Sequence, residues 1–142
     1  NQYRLFWFLN AFPLLTLLAL SILNRIEKAS KAAEEKRLET KIADIGCICC
    51  LNKGWYNSAM QASEAQRIIS MHHVAGRTQK WAHAKQLPLC EFHHQTPAPA
   101  GAPSDLFPLH GGSISAWEKI NGTQEELLKQ VYLLISEDRP WV

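Results

Sequence analysis

The residues best suited to chemistry are the cysteines and histidines, which concentrate in the middle of this 142-residue chain. Three of the four cysteines lie in Cys47-Ile48-Cys49-Cys50, and all six histidines fall between His72 and His110. Two metal ligands three residues apart, followed about forty residues later by a second such pair, are typical of a closed tetrahedral zinc site. Thiolate sulfur and imidazole nitrogen both suit Zn²⁺. We therefore predict a structural zinc ion bound by four residues: Cys47, Cys50, Cys90 and His93.

Cys49 is left out of this set because neighbouring side chains seldom reach the same ion. A redox-active Cys-x-x-Cys pair is the alternative interpretation of Cys47 and Cys50, although no βαβ pattern surrounds them. Cysteines so close together make a poor disulfide framework, and cysteines mixed with histidines favour a metal site in a reducing compartment. The spacing thus favours zinc.

Three further histidines, His72, His73 and His94, need a separate explanation. Successive side chains on a strand point to opposite faces, so His72 and His73 are not expected to bind one metal together. A hairpin carrying this pair, followed by a helix that begins with His94, can hold one divalent ion with open coordination positions, which is a catalytic geometry. His110-Gly111-Gly112 is a predicted turn that offers one more ligand. Isolated histidines are usually ordinary surface or core residues, but these are clustered.

The order of these motifs, CxxC, HHxxGR and LPLCxxHH, resembles that of the HNH (ββα-metal) nucleases. More narrowly, the segments SMHHVAGRT (residues 70–78) and KQLPLCEFHHQ (residues 85–95) look like those of the phage recombination-enhancement (Ref) nucleases, a RecA-dependent family. The likeness covers about residues 44–137. It implies an α+β fold: a small zinc-stabilised ββα-metal (HNH) core with flanking helices.

The resemblance also implies roles for the histidines. His72 and His94 stand where these nucleases place the first and last ligands of the catalytic ion, Mg²⁺ or Mn²⁺, and His73 stands at the general base. A neutral imidazole with a pKa of about 6.5 can take a proton from water. A divalent ion can stabilise the phosphorane and the leaving 3′ oxygen, giving 5′-phosphate and 3′-hydroxyl ends. The middle Asn of the HNH name has no plain counterpart, and Lys85 or His83 lies near its place.

The charge of the middle segment is compatible with DNA as a partner. From Cys50 to Thr96 there are five Lys and Arg residues against two acids, whereas from Pro97 onward there are three bases and six acids. The net charge of +2 is too small to indicate nucleic acid by itself. We predict phosphate contacts from Arg77, Lys85 and His83, the arginine binding in a bidentate manner, whereas Lys53 and Arg67 are interpreted as solvated.

The sequence divides into three parts: an apolar segment (1–24), a charged helix (25–45) that ends at Gly46, and the predicted nuclease domain (46–142). Leu5–Leu23 is about as long as a helix that crosses a bilayer. It is either a transmembrane helix or signal anchor, or a stretch that is not part of the working protein. Near the carboxyl end we predict a proline-rich linker (96–104), a short strand (113–120), and a helix opened by a capping box at Thr123-x-x-Glu126.

These observations predict a metal-dependent DNA endonuclease, encoded by a phage or prophage, that acts in recombination with DNA and the RecA filament as partners. We expect it in the cytoplasm of the bacterial host, or anchored to the membrane if residues 5–23 are genuine. The alternative is a non-catalytic, zinc-dependent DNA-binding module, which a membrane segment could tether.

Overall fold

The computed structural model describes residues 2–55 and 68–142. The chain forms two compact units, Asn1–Glu35 and Lys36–Val142, and helix α1 (Gln2–Asp44) begins in the first and ends in the second. The predicted membrane segment, 5–23, lies partly outside the described side chains, which begin at residue 15. Across the described part of the chain, no helix has both the length and the apolar character that a membrane crossing requires.

The charged part of α1 is helical, as its Ala, Glu, Lys and Arg content predicts. Two apolar residues four positions apart, Leu38 and Ile42, are buried on one face of this helix and join the core. The helix ends at Asp44, and Gly46 follows with a φ of 78°. Only glycine adopts this left-handed conformation readily, which explains why the helix stops here.

A two-stranded antiparallel sheet forms the centre of the second unit. Strand β1 (Ile69–His73) pairs with β2 (Gln86–Cys90), and the register places His73 opposite Gln86 and Ile69 opposite Cys90. Every residue of β2 is buried, since the sheet packs between helical segments. A short helix, α3 (Glu91–His94), follows β2 directly, and α2 (Ile48–Asn52) packs near the same strand. The order strand, strand, helix is therefore the local scaffold for the Cys and His side chains.

The carboxyl-terminal third is helical. A 3₁₀ turn (Leu109–Gly111) precedes α4 (Ile114–Asn121) and α5 (Gln124–Leu134). The capping box at Thr123 and Glu126 is present as predicted, and residues 96–104 contain no helix or strand. The α5 residues Leu127, Leu128 and Val131 are buried, whereas Leu134 is half exposed.

The predicted strand at 113–120 is wrong, because this segment forms α4. Ser113 caps the helix by accepting a hydrogen bond from the backbone N–H of Ala116 at 3.3 Å. Trp117 is the one fully buried residue of the segment, so burial follows a single helical face and not a strand's alternation.

Candidate metal centres

The first candidate centre is a cluster of buried sulfur and nitrogen atoms where β2, α2 and α3 meet. It contains Cys47, Cys50, Cys90 and His93, whose potential ligand atoms all lie within 4.8 Å of one another. Nδ1 of His93 lies 3.4 Å from the sulfur of Cys47, 3.5 Å from that of Cys50 and 3.3 Å from that of Cys90. The structure thus brings together the four residues that the spacing predicted.

The distances within this cluster fit a tetrahedral zinc site. Zinc–sulfur bonds of about 2.3 Å and zinc–nitrogen bonds of about 2.0 Å in that geometry separate two sulfurs by about 3.8 Å and a sulfur from a nitrogen by about 3.5 Å. The sulfurs of Cys50 and Cys90 are 3.8 Å apart, and the sulfur–nitrogen distances lie within a few tenths of an ångström of expectation. The cluster could therefore hold a metal such as zinc.

The protonation of the thiols points the same way. Burial raises the pKa of the Cys47 thiol, but its hydrogen bonds to the neighbouring cysteines and His93 lower it well below the usual value. Hydrogen bonding to Cys47 raises the pKa of Cys90 to about 12 and also raises that of Cys50. Three buried thiolates so close together would need a cation to balance their charge, and metal binding deprotonates such thiols.

Packing fixes the imidazole of His93 in this cluster. The indole of Trp55 stacks on it with ring centroids 5.6 Å apart and planes inclined by 21°. Lys53 lies 4.9 Å over the Trp55 ring and donates to Asp105 at 2.5 Å, so Lys53 is not the solvated side chain that we predicted. Arg67, interpreted in the same way, lies outside the described residues. Cys49 is buried beside the cluster but is not one of its four members.

The second candidate centre is formed by three imidazoles, those of His72, His94 and His110. Their ligand nitrogens also lie within 4.8 Å of one another, and the ring centroids are 5.0 to 5.5 Å apart. His72 lies on β1, His94 ends α3 instead of beginning it, and His110 lies in the 3₁₀ turn. Nδ1 of His72 and Nε2 of His110 are 3.2 Å apart. The predicted turn at residues 110–112 therefore does place a further potential ligand, His110, beside His72 and His94.

Two of these imidazoles use their other ring nitrogen for a hydrogen bond within the protein. Nε2 of His72 is 2.8 Å from Oε1 of Gln124, and Nδ1 of His94 is 2.6 Å from Oγ of Ser70. Gln124 in turn donates from Nε2 to Glu118 at 3.3 Å, which orients its amide with the oxygen towards His72. The bond to Gln124 makes Nδ1 of His72 the nitrogen that carries the lone pair, the arrangement that metal-binding histidines usually show.

The electrostatics of the second centre keep His72 and His94 neutral. Burial, with the neighbouring His72 and His110, lowers the pKa of His94 to about 4. Burial also lowers the pKa of His72, and the hydrogen bond to Gln124 opposes this only in part. A metal ligand must be the neutral imidazole, so both rings are in a metal-binding form at neutral pH.

His73 lies apart from both clusters and has its own partners, as the alternation of a strand predicts. Its Nε2 is 2.7 Å from the side-chain amide of Gln86 and 3.4 Å from Nδ1 of His83. Burial, followed by the charges of His83 and Arg77, lowers the pKa of His73. The half-buried, neutral imidazole of His73 is available to accept a proton.

The three predicted phosphate contacts occupy different environments. His83 is exposed and adjoins His73, and Arg77 is exposed in the loop after β1. Lys85 is half-buried, with its ammonium group 5.2 Å over the ring of Trp141. Because the Lys85 ammonium group already makes this cation–π contact within the protein, Arg77 and His83 are more available to contact a phosphate group.

Sequence reasoning missed Ser70, Gln86, Gln124 and Glu118 as partners of the histidines. Gln124 meets His72 across 52 sequence positions, and no local spacing indicates such a contact. Gln86 does have a signal, since a strand paired in register with β1 places a side chain opposite His73.

A comparison with known protein families covers most of the chain. The family described as recombination enhancement, RecA-dependent nuclease matches residues 31–136, about three quarters of the chain. The matched region contains both histidine and cysteine clusters. The protein therefore belongs to the recombination enhancement, RecA-dependent nuclease family.

Proposed function

We propose that this protein is an HNH-type endonuclease that hydrolyses DNA phosphodiester bonds with a divalent ion at His72, His94 and His110. The observation that carries the proposal is the convergence of these three imidazoles beside a fourth, His73, that has separate partners. The ligands come from a strand, the helix after the paired strand, and a turn, as in a ββα-metal site. Membership of a nuclease family supports DNA as the substrate.

Each group of the site has a distinct proposed role. A bound divalent ion would polarise the scissile phosphate and stabilise the leaving oxygen. His73 accepts a proton from the attacking water, which its neutral imidazole can do. Arg77, exposed nearby, holds a phosphate oxygen pair through its planar guanidinium. The buried site formed by Cys47, Cys50, Cys90 and His93 holds structural zinc and leaves no open position for chemistry.

The ligands of the second centre favour one of the two catalytic metals expected from the resemblance. Three imidazole ligands suit Mn²⁺ and other transition metals better than Mg²⁺, which prefers oxygen ligands. We therefore propose that Mn²⁺ supports faster cleavage than Mg²⁺ at equal concentration.

We also propose that the protein acts in the cytoplasm of the bacterial host on DNA associated with a RecA filament. A nicking assay with and without RecA tests the dependence on the filament.

The role of His73 is tested by plasmid nicking with the full chain in Mn²⁺. His73→Ala is expected to slow nicking by about 10²- to 10⁴-fold, because a general base contributes about that much. Lys80→Ala, an exposed change in the loop between β1 and β2, is the matched control and should leave nicking within twofold. Metal content, measured by mass spectrometry, should be equal in all three proteins.

Two outcomes would count against this proposal. Full activity of the His73→Ala variant would remove the assigned base. DNA binding without cleavage in Mn²⁺ or Mg²⁺, with and without RecA, would favour the non-catalytic DNA-binding module instead. Fractionation of host cells would test the proposed cytoplasmic location against a membrane anchor.

A further inference from the structure

Gln86 is a buried polar residue whose side-chain amide contacts His73. It is fully buried on β2, directly opposite His73 in the strand register. The amide nitrogen Nε2 of Gln86 lies 2.7 Å from Nε2 of His73, while the carbonyl oxygen Oε1 has no hydrogen-bond partner among the described residues. Burying an amide with one end unpaired costs free energy, so an apolar side chain would serve packing better here.

The two partners of His73 both converge on the same ring nitrogen. Gln86 and His83 approach Nε2, at 2.7 and 3.4 Å, and this leaves Nδ1 as the nitrogen that can face water. A base that acts through Nδ1 must carry its proton on Nε2, and that N–H then needs an acceptor. Of the two ends of the Gln86 amide, the carbonyl oxygen is the one that can accept it, since an amide NH₂ group donates only.

The charge that His73 acquires as a base determines which end of the Gln86 side-chain amide is favoured next to it. Oxygen and nitrogen of a glutamine amide exchange places by a half-turn of the terminal torsion, and their assignment follows from the hydrogen-bond network. An NH₂ group against Nε2 would oppose the positive charge that His73 acquires on accepting a proton. A carbonyl oxygen there would stabilise that charge.

We propose that Gln86 is a positioning residue, whose side-chain carbonyl accepts the Nε2–H of His73 and so fixes Nδ1 as the base nitrogen. This inference rests on the proposed function for its catalytic meaning, but the hydrogen bond can be observed without any activity. It assigns to Gln86 the partner of the base that the sequence left unassigned.

The direct test is ¹⁵N NMR of the histidine rings in the full, zinc-loaded chain, with the His73 signals assigned by their loss in His73→Gln. We expect the Nε2–H tautomer, with an Nε2–H proton protected from exchange by its hydrogen bond. Gln86→Met should abolish that protected signal, while Gln86→Glu, which retains an acceptor, should keep it. An Nδ1–H tautomer in the unaltered protein would overturn the proposal, whether or not the protein cleaves DNA.

Nicking kinetics supply the second readout. Gln86→Met should lower kcat about tenfold to a hundredfold, as loss of such supporting hydrogen bonds typically does, with KM nearly unchanged. Gln86→Glu should recover most of that loss. Gln130→Met, which breaks an exposed amide pair with Asn52, is the matched control and should not alter kcat.

The two sets of results separate the two proposals. If wild-type protein fails to nick DNA but shows the protected Nε2–H, the proposed function fails and the Gln86 contact stands. If the wild type nicks DNA but Gln86→Met is equally active and its spectrum is unchanged, Gln86 only fills space. Thermal melting of each variant checks that the fold is intact.

Discussion

At the scale of single residues, each histidine is defined by what its second nitrogen contacts. His72 donates to Gln124 and His94 hydrogen-bonds with Ser70, whereas His73 contacts Gln86. Similar side chains, two of them adjacent in sequence, are thereby assigned to different tasks. The amide of Gln124 is itself oriented by Glu118, so the tautomer of His72 depends on a residue that never touches it.

Substitution of Gln124 should weaken metal binding at the three-histidine centre without removing a ligand. We expect Gln124→Leu to lower Mn²⁺ affinity about tenfold to a hundredfold, because Nδ1 of His72 is no longer held as the free lone pair. Isothermal titration of the zinc-loaded chain with Mn²⁺ measures this. Gln130→Leu on the outer surface of the same helix is the control, and equal affinity in the two variants would show that Gln124 does not orient His72.

The sequence predicts the candidate metal ligands but gives little information about the residues that hydrogen-bond to them. The spacing of the cysteines and histidines is itself the signal for metal binding, so the Cys-rich cluster and the pair His72 and His94 could be predicted. Gln124 is separated from His72 by 52 positions, and Ser70 looks like any strand serine. Such contacts depend on how the helices pack, which one sequence does not show.

At the scale of elements, prediction worked where local chemistry determines the structure. The end of α1 at Gly46 and the capping box of α5 are local signals, and both are present. The segment 113–120 has no such dominant pattern, and the burial of Trp117 with the Ser113 cap makes it a helix. The helices also depend on contacts between segments that are distant in sequence, such as those that Glu137 makes with Arg37 and Lys41.

The Glu137 carboxylate joins the end of α1 to the segment after α5. It accepts hydrogen bonds from Arg37 at 2.6 and 2.9 Å, and another from Lys41. Hydrogen bonds from Arg37 and Lys41 lower the pKa of Glu137 to about 2. A carboxyl group with a lowered pKa in the folded state stabilises that state above its unfolded pKa of 4.5, and this contribution is lost as the pH falls towards 2.

Glu137→Gln should therefore lower the melting temperature at pH 7 by a few degrees at most, since the pair is accessible to solvent. The difference from the unaltered protein should shrink below pH 4 and also in about 1 M NaCl, which screens such pairs. Differential scanning calorimetry measures both effects. Asp138→Asn removes the same charge one residue away, and an equal loss of stability there would show that net charge, and not this contact, is responsible.

At the scale of the whole molecule, the second unit has few elements from which to build a core. Its described residues form one two-stranded sheet and several short helices around that core, and small domains of this kind commonly need a metal to remain folded. The Cys-rich cluster lies at the centre, where it joins α2, β2 and α3. The same α3 ends in His94, so the structural cluster also positions a ligand of the second centre.

Removal of zinc should consequently abolish both the fold of this unit and metal binding at the three histidines. Cys50→Ser is expected to lose one equivalent of zinc per chain and several kcal/mol of stability, because metal binding contributes directly to folding in such sites. Cys49→Ala, a change at the neighbouring buried thiol, should retain that zinc and cost about 1 kcal/mol. Zinc content by mass spectrometry, thermal melting by circular dichroism and Mn²⁺ titration distinguish the two. If Cys50→Ser melted like Cys49→Ala with its zinc content unchanged, the cluster would not be a zinc site, and the geometry of α3 would need another explanation.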